Sequence, residues 1–394
     1  MKVPFSPPDM TELEAQEVRE AILSGWITTG PRTKKLEKLI SEYVHTPITA
    51  CLNSATASVV AHVGAKLVMV DAQKDSWEMD YDQLADAITE KTKVVMPVDL
   101  GGVVAEYERV FEIVEQKRHL FHPANALQEK IGRVIVSADS AHSLGGSRLG
   151  KMAGEIGDFS SFSFHAVKNF TTAEGGAMTW KLPFGDEVVP TDVDYLPQVP
   201  KRGGETWNSL LYRLAQLFSL HGQNKDALAK TQLGTWEYDI IGPWYKCNMT
   251  DIMAAIGLVQ LQRYPEMLKR RQQMVARYNE ALKDLPVALM NHKDANHCSS
   301  HHLYMVRLLG KTREETNQVM AKMAEREIAT NVHYKPLPMM TAYKALGWDI
   351  KDFPNAYDYY RNLISLPLHT LLTDEDADYV CGALKEAVRE LKIC

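Results

Sequence analysis

Short apolar runs alternate with amphipathic stretches along the first half of this chain, and that alternation leaves few architectures open. Residues 11–24 place Leu13, Val18, Ile22 and Leu23 near one helical face, with Thr11 as N-cap and Gly25 as the stop. A loop at 26–31 leads to a second amphipathic helix over 33–43. Residues 65–70, 94–98 and 134–136 read as strands, and 81–89 has a helical pattern between the first two. Residues 160–164 alternate, and Gly176–Trp180 reads as one more strand. Buried strands separated by helices predict an α/β sheet covered on both faces.

The second half is organised differently. Residues 249–278 form one long helical stretch, in which Pro265 is expected to make a break. A smaller α/β pattern follows: a strand at 303–308, a helix at 313–325, a strand near 328–332 and a closing helix at 374–391. We expect a boundary near residue 265, with a large domain over 1–265 and a small C-terminal domain over 266–394, which suits a length of 394.

Charge and cysteine usage narrow the partners. With 44 basic and 50 acidic residues the net charge is -6, which favours neither nucleic acid nor an anionic membrane. No apolar run of about 18 residues appears and no apolar core follows the first charge, so we expect neither a membrane span nor a secretory signal. Cys51, Cys247, Cys298, Cys381 and Cys394 are odd in number and form no CxxC pair; they read as reduced thiols of a cytoplasmic protein.

Two residues stand out chemically. Asp139 ends an apolar strand, and ligands of open α/β sheets sit beyond such ends. A carboxylate there can face a cationic ring nitrogen, although an ordinary helix cap is the commoner use of such an Asp. Lys168 follows the strand at 160–164 and precedes Glu174-Gly175-Gly176. A lysine held off the surface can lose its proton and attack a carbonyl as a Schiff-base former, whereas most lysines are solvated charges. The paired glycines let backbone pass close to a flat ligand. An acid and a lysine so placed suit pyridoxal phosphate (PLP), which needs both. Asn53-Ser54-Ala55-Thr56-Ala57 could cradle a phosphate or simply cap a helix.

Longer stretches carry a resemblance. Residues 161–169 with Glu174-Gly175-Gly176, the Asp139-Ser140-Ala141-His142 turn, the loop at 24–31, Lys246–Asp251, His333–Pro338 and Leu366–His369 resemble, in order, motifs of the DegT/DnrJ/EryC1/StrS aminotransferases. The resemblance implies a PLP-dependent transferase of fold type I, aspartate-aminotransferase-like, with a large mixed-sheet domain and a smaller C-terminal α/β domain. It implies that Lys168 bonds the cofactor and moves the proton, and that Asp139 meets the pyridine nitrogen. His142 would stand near the ring oxygen, where the family often has Gln. Ser163, Ala55 and Thr56 would bind the phosphate, joined by Asn248 from a second subunit. Thr29, His333 and Tyr334 would face the sugar. Family dehydratases carry histidine in place of the lysine; here the lysine is present, and His165 reads as a shell residue.

The activity so implied is amino transfer from an amino acid, glutamate by resemblance, to a nucleotide-linked keto-deoxysugar. The partners are small molecules and a second copy in a homodimer with shared sites. The alternatives are a PLP-dependent sugar dehydratase or isomerase, and a non-catalytic sensor or scaffold of the same fold.

The sequence also departs from the family. After Ala57 it passes at once into 58–65, which resembles what lies beyond a helix, a strand and a loop with a stacking aromatic; on the order of 15–20 residues are lacking. A true deletion would remove part of the phosphate site. A discontinuity of the chain at 57–58 is favoured, because cutting a central α/β unit should unfold the domain. Residues 106–132 and 180–209 are longer than the family pattern, and Val98–Gly102 replaces a His- or Asn-containing turn.

Other features are expected to be silent. His292, His297, Cys298, His301 and His302 fit no zinc spacing and read as a polar turn, so no metal is expected. Lys269-Arg270-Arg271 reads as a solvated helix face, and 145–150 is not a dinucleotide fingerprint.

Overall fold

The computed structural model describes residues 3–54, 63–193, 195–196, 198–224 and 237–391. Helix α1 (Glu12–Leu23) starts at a reciprocal cap, in which Glu14 Oε2 receives the Thr11 N–H at 2.8 Å. Helix α2 (Pro31–Tyr43) opens on proline, whose missing N–H and fixed φ suit a first turn. Strand β1 (Ile48–Leu52), helix α3 (Tyr81–Ala87), β2 (Val94–Val95), α4 (Tyr107–Gln116), α5 (Ala126–Ile131) and β3 (Ile135–Asp139) follow. Next come β4 (Ser147–Arg148), β5 (Lys151–Met152), β6 (Phe159–Ser163), β7 (Gly176–Trp180) and α6 (Trp207–Ser219). After α7 (Asp251–Leu282) the chain adds β8 (Val287–Leu289), β9 (His297–Cys298), β10 (Tyr304–Leu308), α8 (Arg313–Glu325), α9 (Thr341–Ala345), α10 (Pro354–Arg361), β11 (Leu363–Leu366) and α11 (Asp374–Glu390).

The main sheet has the order β1-β7-β6-β3-β2. Strands β2, β3 and β6 run parallel, whereas β7 is antiparallel to both β6 and β1, so the sheet is mixed. The register opposes Asp139 to Ser161 and Ser163 to Gly176. Those pairings bring the C-terminal ends of the parallel strands β3 and β6, and the loops beyond them, to the same end of the sheet. A second sheet, β11-β10-β8, is antiparallel throughout, and β4 bridges β5 and β9 in a third.

Of four apolar clusters among the described residues, the two largest form the main interiors. One gathers Val136, Phe162, Phe164 and Phe170 against Leu36, Val110 and Tyr264; the other gathers Tyr304, Val306, Ile364 and Leu384. Truncating a ring such as Phe162, 1 % exposed, to alanine would cost about 3–5 kcal/mol. Helix α7 serves both interiors, Ala254, Leu258 and Met267 in the first, Met274, Val275 and Tyr278 in the second.

Three expectations fail. Pro265 does not break α7, which runs through it over 32 residues. Packing on both sides carries the helix across the lost N–H bond, a defect worth about 3 kcal/mol in isolation. Residues 65–70 make no strand, and Val68 is 56 % exposed. A central strand needs a paired neighbour, and this run has none among the described residues. Strand β2 is correspondingly short and forms the sheet edge, with Val94 and Val98 exposed. Residues 328–332 make isolated bridges, Ile328 to Val3 and Asn331 to Ser365, in place of a strand. The juncture 57–58 lies outside the described residues.

Candidate active site

Asp139 closes β3 with its side chain partly buried; Oδ1 accepts the Ala141 N–H at 3.2 Å. Burial pushes its pKa up, and the positive charge of Lys168 acts against that rise. Beyond β6 the chain turns tightly. Phe164 N donates to Gly175 O at 2.8 Å, Thr172 N to Phe164 O at 2.9 Å, and Lys168 N to His165 O at 2.9 Å. Gly175 belongs where it does: a Cβ there would stand 2.0 Å from Thr172 Oγ1. The turn holds Lys168 partly buried, and burial lowers its pKa to about 8, with Asp139 opposing. Among the described residues Nζ makes no hydrogen bond or ion pair. The amine is therefore available for covalent chemistry near neutral pH.

His142 stands on the turn after Asp139. Its Nδ1 accepts the Gly101 N–H at 3.2 Å, so its proton sits on Nε2, 3.2 Å from Tyr334 Oη. Burial first, then the charge of Lys168, drives its pKa well below the ordinary value. Underneath, buried Asp99 receives the Ser140 and Ser143 hydroxyls at 2.9 and 2.6 Å, the Tyr107 hydroxyl at 3.0 Å and the Ala105 N–H at 3.1 Å. Burial holds Asp99 up at about 6 even so. This carboxylate braces the turn that presents Asp139 and His142.

His333 Nδ1 lies 2.8 Å from Ser365 Oγ, and its ring stacks on Phe5 at 5.3 Å. Burial and Lys168 bring it to about 4. Tyr334 is half exposed, yet burial of its hydroxyl beside His142 pushes it up to about 12. A cavity beside Lys168 is walled by Phe5, Ser6, His302, His333, Tyr334 and Leu368, among others.

Of the residues picked from sequence, Asp139, His142, Lys168, His333 and Tyr334 thus gather at one place. Ser163 ends β6 nearby and its Oγ accepts the His165 N–H at 3.5 Å. Thr29 and Asn248 form a separate group: Asn248 Nδ2 donates to Thr29 Oγ1 at 2.7 Å, Thr29 Oγ1 to Met249 O at 2.6 Å, and Lys246 Nζ to Asn248 Oδ1. Neither residue lines the Lys168 cavity. Ala55 and Thr56 lie outside the described residues. His165 is exposed and faces Glu174 at 3.4 Å, so it is a surface residue, not part of the shell.

Sequence reading missed the far wall. His292, His297, His301 and His302, read as a polar turn, are buried, and His302 reaches the cavity. Burial lowers His292 to about 3 and His301 to about 4. Arg271 is also buried, not solvated. Its Nη1 donates to Leu368 O at 3.0 Å, His301 O at 3.3 Å and His302 O at 3.4 Å, and burial brings its pKa to about 10. The one available signal was position: the run Arg270-Arg271 sits where α7 must cross from one interior to the other, so one of the pair faces inward. Among the described residues no group of three His, Cys, Asp or Glu could hold a metal, and no helix is long and apolar enough to cross a membrane.

The sequence profile of the DegT/DnrJ/EryC1/StrS aminotransferase family matches residues 8–59 and 48–385. The two stretches overlap at 48–59, around the place where the sequence departs from the pattern. The spore coat polysaccharide biosynthesis protein SpsC of Bacillus subtilis is 30% identical over 423 aligned residues, covering 98% of this chain and 97% of that one. The Streptococcus pneumoniae protein titled "Putative sugar aminotransferase Spr1654" superposes in its PMP form with a TM-score of 0.90 at 47% identity, over 99% of this chain and 100% of that one. Its PLP form gives 0.89 at 46% identity with the same coverage.

Proposed function

Because this chain belongs to the DegT/DnrJ/EryC1/StrS aminotransferase family, we propose that it is a PLP-dependent sugar aminotransferase, moving an amino group from an amino acid, glutamate in our reading, to a nucleotide-linked keto-deoxysugar. The observation that carries the reading is Lys168: an amine held near 8, with no partner for its Nζ among the described residues, within the field of a partly buried acid. The relatives add support, one named for polysaccharide biosynthesis, another for sugar amino transfer and solved with both forms of the cofactor.

The donor set suits the cofactor. When bound, PLP supplies a carbonyl for covalent attachment and a pyridine ring that takes up electrons from the substrate carbon. Lys168 Nζ, as free base, takes a proton from the donor's α-carbon and returns one to the sugar carbon in the second half-reaction. Asp139 holds the proton of the ring nitrogen; a cation opposite would offset the burial that raises this acid. Ser163, with Ala55 and Thr56, binds the phosphate. His142 stands at the ring oxygen, with its Nε2 proton directed at Tyr334. His333 and Tyr334 border the sugar, and Phe5 and Leu368 exclude water from one side.

Thr29 and Asn248 serve the site of a second copy in this reading. Their separation from the Lys168 cavity supports it, as does the apolar surface of α1, where Leu13, Ile22 and Leu23 are each more than half exposed. The unpaired state of Cys51, Cys247, Cys298 and Cys381 fits a cytoplasmic setting.

The test uses the full chain loaded with PLP, glutamate as donor and a panel of keto-sugar nucleotides, with amine incorporation read by mass spectrometry. Amine gain on at least one sugar is the expected result. Loss of water without amine gain would favour a dehydratase, and PLP binding without any half-reaction would favour a scaffold.

A further inference from the structure

The residue after Lys168 fastens the lysine loop to a distant part of the chain. Asn169 is 6 % exposed, and its amide meets residues 300–302. Nδ2 donates to Ser300 O at 2.7 Å, and Oδ1 faces His302 Nδ1 at 2.9 Å. A carbonyl oxygen can only accept, so the NH2 end must face Ser300 and Oδ1 must accept from His302. His302 therefore carries its proton on Nδ1. Its Nε2 is a bare lone pair, with no donor among the described residues.

The neighbouring ring is the mirror case. His142 packs against His302 with centroids 4.3 Å apart, and the Gly101 N–H leaves it protonated on Nε2. The two rings thus offer one proton already committed to Tyr334 and one vacant acceptor. His302 forms part of the cavity wall beside Lys168. Its backbone is pinned as well: His302 N donates to Gly101 O at 3.1 Å, and Arg271 holds its carbonyl. Burial keeps the ring uncharged, and the charges of Lys168 and Arg271 add to that effect. A neutral imidazole with a free Nε2 can do one thing for a ligand in this cavity, which is to accept a hydrogen bond.

We propose that Asn169 is a positioning residue that locks the Lys168 loop onto residues 300–302 and holds His302 in the neutral Nδ1–H form, so that Nε2 accepts a hydroxyl proton of the sugar substrate. The proposal rests on the sugar-aminotransferase reading and assigns the specificity-determining acceptor within it.

Two measurements on the full chain test it. In the cofactor-free protein labelled with 15N-histidine, the His302 resonances, assigned by their loss in His302→Phe, should report Nδ1–H at neutral pH. Asn169→Ala should yield a mixture of tautomers, and Asn169→Asp, which sets a carboxylate on Nδ1, a charged ring. An Nε2–H form in the unmutated protein overturns the proposal. The second measurement is single-turnover kinetics of the pyridoxamine-phosphate form with dTDP-4-keto-6-deoxyglucose. His302→Phe should raise the half-saturating sugar concentration about tenfold, well beyond any effect on the glutamate half-reaction. His302→Gln, whose amide oxygen can reach the Nε2 position, should recover most of the loss. Equal effects on both half-reactions, or no effect on the sugar, would sink the proposal and leave the general reading standing. Absence of turnover of every sugar in the panel by the unmutated protein would remove that reading and the sugar hydroxyl with it, while the tautomer is still decided by the first measurement.

Discussion

The Nε2 proton of His142 points at Tyr334 Oη, 3.2 Å away, and the Gly101 amide on the other side of the ring forces that direction. Tyr334 therefore accepts from His142 and keeps its own proton for the cavity. Held up at about 12, the phenol stays a donor throughout the working range. Tyr334→Phe removes this donor and strands the His142 N–H. We expect kcat/KM for the sugar half-reaction to fall about tenfold to a hundredfold, with little change in the thermal midpoint. An unchanged kcat/KM would show that the phenol proton meets no ligand.

Lys168 is a group that function needs and stability does not. An amine kept partly out of water and lowered to about 8 is still mostly protonated at pH 7 and carries a desolvation penalty. Lys168→Met should abolish amino transfer. The same change should stabilise the cofactor-free chain by roughly 1–2 kcal/mol at pH 7, read from urea midpoints. The sign follows from linkage: with the folded pKa depressed, the penalty is complete below about 8 and fades as pH rises toward the ordinary lysine value. The stability gain of the variant should shrink accordingly between pH 8 and pH 10.

Asp139→Asn should keep the fold and still admit the cofactor, since the amide is of like size and the buried site prefers a neutral group. It removes the negative partner that the ring nitrogen requires. Stopped-flow rates of the glutamate half-reaction should drop on the order of a hundredfold or more. A drop of less than threefold would dismiss Asp139 as the ring partner.

Acid should unfold this protein early. Burial lowers His292 to about 3 and His301, His333 and His369 to about 4, and drives His142 and His302 well below the ordinary range. All six bind protons in the unfolded chain before they do so in the folded one. Their contribution is complete above the ordinary histidine pKa and is lost as pH falls from there toward about 4. Each site can remove up to about 1.4 kcal/mol per pH unit in that window. Urea midpoints that fall steeply from pH 7 to pH 5 are the expected outcome; a flat profile would mean that these rings take up protons without leaving the interior.

Asp251 holds α7 to α2. Its carboxylate accepts the Gly30, Arg32 and Thr33 N–H groups at 2.8, 3.0 and 2.9 Å and the Thr33 hydroxyl at 2.7 Å, at the positive end of α2. Asp251→Ala leaves those donors buried without an acceptor, and we expect a loss of about 3 kcal/mol by chemical denaturation, against a smaller loss for Asp251→Asn.

Much of this could be read in advance where the signal is local. Gly176–Trp180 and Arg313–Glu325 occur with the bounds that pattern alone predicted; the Thr312 capping box that starts the helix acts within a few residues. The gathering of Asp139 with Lys168 was legible from strand order: Asp139 ends β3, and Lys168 follows β6, the parallel strand that pairs with it. The failures are non-local. Residues 65–70 have the composition of a strand, yet a strand exists only with a partner at its edge. Arg271 was taken for a solvated cation because its three acceptors are backbone carbonyls 30 to 97 residues away, which no side-chain pattern announces. His302 was passed over for the same reason, since its partner Asn169 lies 133 residues earlier.

Helix α7 keeps its course past Pro265 and lends side chains to both interiors. Severing the chain near that proline would leave each fragment with an open seam where half a rod had been. Neither piece should be expected to mature alone, and a tilt of the rod at one end must be felt at the other.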